Sequence, residues 1–240
     1  MRKHAVKILC GLPVLALVLL LLFAPIDPNY VLFAAELVGT FAFAFSGAVV
    51  ALQKNLDLFG TLVLGVITAV GGGYVRDLTL GVTPPALFRN SIYVIVAVAT
   101  SLLVFLLCYF RILSVERLHH GTYSQLLNTM DAIGLGIFTV VGVNTAVGVG
   151  YGTHGFFLSV TVGTITGIGG GILRDVLAVR MPVVLHKHIY AVASIAGASV
   201  YYLLLPRVPD NIALVVSSCL VISIRLLATH FEWNLPKIPQ

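Results

Sequence analysis

The chain has 240 residues, of which 59% are hydrophobic and only 10% charged, against about 25% charged for ordinary globular domains. That balance excludes a soluble fold, and no region is large enough for a separate soluble domain. The formal net charge of +5 is accordingly a topology signal of a membrane protein and not a nucleic-acid footprint.

Eight apolar stretches follow one another, at 8–24, 31–52, 58–80, 91–110, 130–149, 155–178, 189–205 and 211–229. Most are near the ~20 residues that a spanning helix needs. The first belongs to a segment, 1–30, with a basic start (MRKHAVK) and a Leu/Val-rich run (ALVLLLLFA), the pattern of a signal peptide or signal anchor. Cleavage after Ala24 would leave Pro25 directly behind the cut and Leu22 where a small residue belongs. We read the segment as an uncleaved helix with no part in permeation.

The next three stretches, within 31–113, and the three within 130–205 form two similar units; 211–229 is a final single helix. The similarity is carried by AVGGGYVRDLTLGVTPPALFRN around residue 71 and GIGGGILRDVLAVRMPVVLHKH around residue 169, which align without a gap at a separation of 98 residues. Gly71, Gly72 and Gly73 match Gly169, Gly170 and Gly171; Arg76 and Asp77 match Arg174 and Asp175; Arg89 matches Lys187. Three helices per unit is an odd number, so the second unit enters the membrane upside down. The expected fold is an all-α polytopic inverted repeat plus a seventh helix and the amino-terminal one.

Orientation follows from the cations. Lys54, Arg111, Arg117, Arg180, Lys187 and Lys237 fall on one side with Arg2, Lys3 and Lys7, leaving Arg89 and Arg207 in loops on the other. The cationic excess marks the cytoplasmic face, which also receives the carboxy terminus.

Chemistry becomes possible at the glycines. Three in a row cost a helix interior about 1 kcal/mol each relative to alanine, and freed backbone groups in lipid must face protein or water. Each run lies near mid-membrane, so two bends would aim carbonyl oxygens at a common interior, where they can replace a cation's hydration shell. The competing reading is close helix packing, which small residues permit. Thr68 and Thr166 precede the glycines, and the 98-residue register pairs Ser46 with Asn144; these six glycines and four polar residues form the candidate path. Arg76 and Arg174, ionisable groups in apolar helices, join it as candidates at the two mouths. Adjacent helix residues do not face each other, so Asp77 is expected to pair with Arg89, and Asp175 with Lys187, across the Pro84 and Pro182 turns. Glu36 and Asp131 fall near expected helix starts, where an acid suits the dipole, and Arg225 near a helix end, where it can snorkel.

Other chemistries find no support. The three cysteines, Cys10, Cys108 and Cys219, form no CxxC pair, so neither a disulfide framework nor a thiolate metal site is indicated. His119/His120 and His186/His188 lack an acidic ligand or i, i+4 spacing. No Gly-Lys-Ser/Thr follows either glycine run, and GxGxxG is broken by Ile172. No metal, cofactor or enzymatic role is expected.

The duplicated GGGxxRD at 71–77 and 169–175, the stretch FSGAVVALQKNLDLFG at 45–60 and the three-plus-three-plus-one helix count resemble the bacterial branch of the trimeric intracellular cation (TRIC) channels, over about 31–229. The resemblance implies a homotrimer in the bacterial cytoplasmic membrane, each subunit carrying its own pore along glycine-kinked second and fifth core helices and passing monovalent cations, chiefly K⁺. The chain departs from it in segment 1–30 and in lacking the Lys-Glu-Val-type motif of animal members, having Tyr74 and Val75 after the glycines. The same domain is also regarded as a glycine or small-amino-acid transporter, and inverted repeats around a midplane site suit transporters equally. A non-conducting scaffold is a third reading.

Overall fold

The computed structural model describes residues 27–112, 122–151, 155–186 and 189–233. The amino-terminal stretch 1–26 and Lys187 lie outside these. Helix α1 (Pro28–Gln53) starts where Pro28 occupies its first turn and the Asp27 carboxylate accepts the Asn29 amide at 2.9 Å. Proline fits there because the first helical N–H has no partner to lose. Asp57 caps α2 (Leu58–Thr79) in the same way, accepting the Gly60 amide at 2.7 Å. A one-turn helix α3 (Ala86–Arg89) leads into α4 (Ile92–Tyr109). The second unit repeats the plan: α5 (Thr122–Ala146), with a π-helical turn at Val147–Tyr151, then α6 (Phe156–Leu177), the one-turn α7 (Val183–His186) and α8 (Ile189–Leu204). Helix α9 (Asp210–His230) closes the chain. Six of the helices are long and apolar enough to cross a membrane, and α8, at 16 residues, is a shorter apolar helix. The chain is a multi-pass, all-α membrane protein.

Helices α2 and α6 cross at the centre of the molecule, flanked by α1 and α5. The two triple glycines meet at this crossing. A Cβ added at Gly72 would fall far inside contact with the Thr166 carbonyl oxygen, and one at Gly170 would do the same to Thr68. Gly71 faces the Leu173 side chain, so the contacts run in antiparallel order, as an inverted repeat requires. Contrary to expectation, neither helix is interrupted: α2 and α6 are α-helical through both glycine runs, with no positive φ among these six residues. The missing side chains let two backbones touch, and each helix keeps its own hydrogen bonds.

The repeat also has two registers. Gly47 of α1 packs on Gly65 and Thr68, and Gly142 of α5 packs on Gly163 and Thr166. Residues of α2 and α6 are thus 98 apart, but those of α1 and α5 only 95. The extra three residues of the second unit lie between Gly142 and Gly163, a stretch that includes the π-turn, where the first unit has the short 54–57 connection. Ser46 therefore corresponds to Val141 and not to Asn144, and Glu36 corresponds to Asp131.

Candidate permeation site

Each end of the α2/α6 crossing carries an arginine, a tyrosine and two carboxylates. At one end Arg76 Nε donates to Asp77 Oδ1 at 2.8 Å, and the Tyr93 hydroxyl of α4 donates to Glu36 of α1. At the other, Arg174 Nε donates to Asp175 Oδ1 at 2.9 Å, and Tyr190 of α8 lies beside Asp131 of α5. Both arginines are buried, 7% and 2% exposed, and both Arg-Asp aspartates 1%. These are adjacent residues. Burial in an apolar helix drives each long guanidinium to fold back along its own helix to the nearest carboxylate, overriding the divergence of neighbouring Cβ directions.

The second oxygen of each aspartate is also occupied. Asp77 Oδ2 accepts the Ala86 amide at 2.6 Å, and Asp175 Oδ2 accepts the Val183 amide at 2.9 Å. Each acid thereby ties its helix to the one-turn helix that follows. The expected pair between Asp77 and Arg89 does not form; Arg89 is exposed, and among the described residues the ion pair of Asp77 is with Arg76. Asp175 takes Arg180 as a further partner, Nε at 2.7 Å. Lys187 lies outside the described residues.

The two ends differ in what is open. A cavity of about 80 Å³ sits at the first, bordered by Glu36, Thr40, Gly73, Arg76, Asp77 and Tyr93. The corresponding place in the second unit, between Gly171, Arg174, Asp175 and Tyr190, has no room for water. Arg174 fills it. Its Nη1 donates to Asp131 Oδ1 at 2.5 Å and also to the Ser46 hydroxyl. In the first unit the Glu36 carboxylate is engaged by Tyr93, and the position equivalent to Ser46 is Val141, which has no hydroxyl to offer. The open end carries two carboxylates, Glu36 and Asp77, against one guanidinium. At the closed end Asp131 and Asp175 face Arg174 and Arg180.

The other expected path residues divide. Thr68 and Thr166 donate to the carbonyls of Leu64 and Val162 on their own helices, both at 2.6 Å, and are buried at the crossing. Asn144 lies elsewhere, accepting from Tyr201 at 3.0 Å beside a separate cavity of about 50 Å³ that includes Asp210. Glu36 and Asp131 are not helix-start residues, since α1 begins at Pro28 and α5 at Thr122; they are members of the two clusters. Arg225 does not snorkel. It is 4% exposed, with its guanidinium 4.6 Å from the centre of the Tyr190 ring, a cation–π contact. Tyr93 and Tyr190, which complete the clusters, carry no signal in sequence beyond their places 57 and 59 residues after the matching acids.

Comparison with known proteins agrees with this architecture. The model of the glycine transporter family matches twice, at residues 33–109 and 128–206. The UPF0126 inner membrane protein YadS of Escherichia coli is 38% identical over 205 residues, covering 84% of this chain and 93% of its own. The UPF0126 membrane protein YvgT of Bacillus subtilis is 36% identical, with 84% and 93% covered. A crystal structure of a prokaryotic TRIC channel in 0.5 M KCl superposes with a TM-score of 0.77 at 31% identity, over 86% of this chain and all of that one. A structure described as the basis for conductance through TRIC cation channels gives 0.74 at 37% identity, over 86% and 97%. The chain belongs to this bacterial TRIC-like family. In this chain the Arg-Asp pairs lie near the carboxy-terminal ends of the two central helices. A Caenorhabditis elegans TRIC channel with bound Ca²⁺, at 15% identity and a TM-score of 0.58, shares the fold alone.

Proposed function

We propose that this protein is a cation channel of the bacterial inner membrane that passes K⁺. In this reading it is a homotrimer with one path per subunit, and its carboxy terminus lies in the cytoplasm. The units 31–113 and 130–205 are its inverted halves and 211–229 its last helix. The observation that carries the reading is the pair of equivalent pockets at opposite ends of one glycine crossing. The open pocket has a formal excess of one carboxylate, which concentrates cations, and the other is plugged by Arg174. Two ends of one path, one open and one shut, are what a gated conduit requires. Likeness to prokaryotic TRIC channels supports the same reading.

The glycines act in this scheme by holding α2 and α6 in backbone contact, with Thr68 and Thr166 spent on their own helices. Conduction requires Arg174 to leave Asp131 and Ser46, so the closed end is the state to be opened. No enzymatic step enters the scheme.

Glycine transport is the second reading, and one observation favours it. The open cavity presents a guanidinium and a second acid on opposite elements, Arg76 on α2 and Glu36 on α1, the pairing that a small zwitterion needs. Purified protein in planar bilayers and in liposomes separates the two. Unitary K⁺ currents support the channel; saturable glycine uptake without unitary conductance replaces it with the transporter.

A further inference from the structure

Between the open cavity and the plugged pocket stands an aromatic pair. Phe43 of α1 and Phe138 of α5 are 95 residues apart, the register that relates these two helices. They are therefore repeat-equivalents of each other. Their ring centroids are 5.4 Å apart with planes inclined at 39°, so the pair straddles the axis relating the two halves. Each ring rests on a glycine of the opposite helix. Phe138 lies 3.2 Å from a Cβ position at Gly39, and the Phe43 ring fills the space a Cβ at Gly134 would need. Gly39 and Gly134 are again 95 apart, so the seat is duplicated together with its occupant. Phe43 also abuts the crossing itself, 3.3 Å from a Cβ position at Gly170.

Along α1, Thr40 borders the open cavity, Phe43 follows one turn on, and Ser46, one turn further, bonds Arg174 of the plugged pocket. Phe138 forms part of the cavity wall together with Thr40 and Ala69. Phe43 is 1% exposed and packs against Phe138 without lining the cavity. Past Thr40 a hydrated cation meets two aromatic rings, and an apolar constriction of this kind excludes water and hence ions.

We infer that Phe43 and Phe138 form a central hydrophobic gate, a second barrier in series with the Arg174 plug. This rests on the permeation reading above and adds to it the place where the path is dewetted. Because each ring comes from a different half, relative motion of the halves separates the rings. Glycine at positions 39 and 134 leaves each ring a smooth surface to slide across. Thr68 and Thr166 at the crossing are turned onto their own helices, so the aromatic pair is the apolar segment of the path.

The test uses full-length protein in liposomes with two readouts. The first is K⁺ efflux, in an Asp131→Asn background that frees the Arg174 plug, from Phe138→Ala, Phe43→Ala and the two asparagine variants, which make the constriction polar. Efflux should rise by roughly tenfold or more as the apolar barrier is removed, while Phe41→Ala, on the exposed face of α1, leaves it unchanged. Efflux from the Asp131→Asn parent with no response from the four ring variants overturns the gate and leaves the channel intact. The second readout does not depend on conduction. In a background with Cys10, Cys108 and Cys219 replaced, a charged thiol reagent added from the Glu36 side should modify Thr40→Cys but not Ser46→Cys. With Phe43→Asn and Phe138→Asn combined, Ser46→Cys should become reactive from that side. Equal labelling of Ser46→Cys with and without the rings, or none in either, refutes the gate even if no cation passes.

Discussion

Gly72 and Gly73 are adjacent and identical in type, yet the structure assigns them opposite responses to the same substitution. A Cβ at Gly72 collides with the backbone carbonyl of Thr166 and comes within 3.3 Å of the Gly170 amide nitrogen. Backbone cannot rotate away as a side chain can, so Gly72→Ala forces α2 and α6 apart. Overpacking of this kind costs about 1–3 kcal/mol, partly offset by the ~1 kcal/mol that alanine contributes in a helix interior. A Cβ at Gly73 meets only the Arg76 guanidinium, at 3.8 Å, which is ordinary contact. Gly73→Ala therefore keeps most of the propensity gain and is neutral or stabilising, while intruding on the cavity. The same reasoning pairs Gly170→Ala, blocked by Thr68, against Gly171→Ala, where the Tyr190 hydroxyl stands at 3.0 Å and must give slightly. Thermal denaturation of purified protein, read by the loss of the native size-exclusion peak, should order the variants with Gly72 and Gly170 lowest. Efflux assays should show loss at Gly72→Leu and Gly170→Leu with the assembly retained. Equal melting of Gly72→Ala and Gly73→Ala would refute the backbone-contact account of the glycines.

Asp131→Asn removes one carboxylate from a guanidinium that is almost fully buried, a change that costs about 3–5 kcal/mol where such pairs are broken; the variant should melt earlier and leak cations, and unchanged efflux would count against the Arg174 plug. Asp77→Asn should lower the melting temperature, whereas Arg89→Ala should leave stability within about 0.5 kcal/mol, as for ordinary surface changes; equal effects would restore the pairing across the turn. Val179 adopts φ 50° at the position where the first unit has Gly81 at φ 69°, and a β-branched residue there is disfavoured by about 1–2 kcal/mol. Val179→Gly should raise the melting temperature, and a decrease would show that this turn is not strained.

The helix count, the duplication, the glycine runs and the Arg-Asp pairs were all legible, because hydropathy and exact repetition are properties of the chain itself. What the glycines do was only half legible: a triple glycine is compatible with a broken helix or a close crossing, and only the position of Thr166 and Thr68 opposite them decides for the crossing. The partner of Asp77 was misassigned for a related reason. A backbone amide eight or nine residues onward leaves no mark in sequence, and a side chain long enough to fold back to its neighbour escapes the rule about facing positions. The 98-residue register is true of α2 and α6, where the motif lies, but the three extra residues before α6 shift α1 against α5. Extending the ungapped alignment across that insertion paired Ser46 with Asn144. It also concealed the correspondences of Glu36 with Asp131 and of Phe43 with Phe138.

Single-channel recording from purified protein in a planar bilayer under a K⁺ gradient tests the central claim most directly. The account predicts unitary currents that reverse near the K⁺ equilibrium potential, with conductance reduced by Glu36→Gln at the open cavity. A silent bilayer from protein that takes up glycine saturably in liposomes would contradict it.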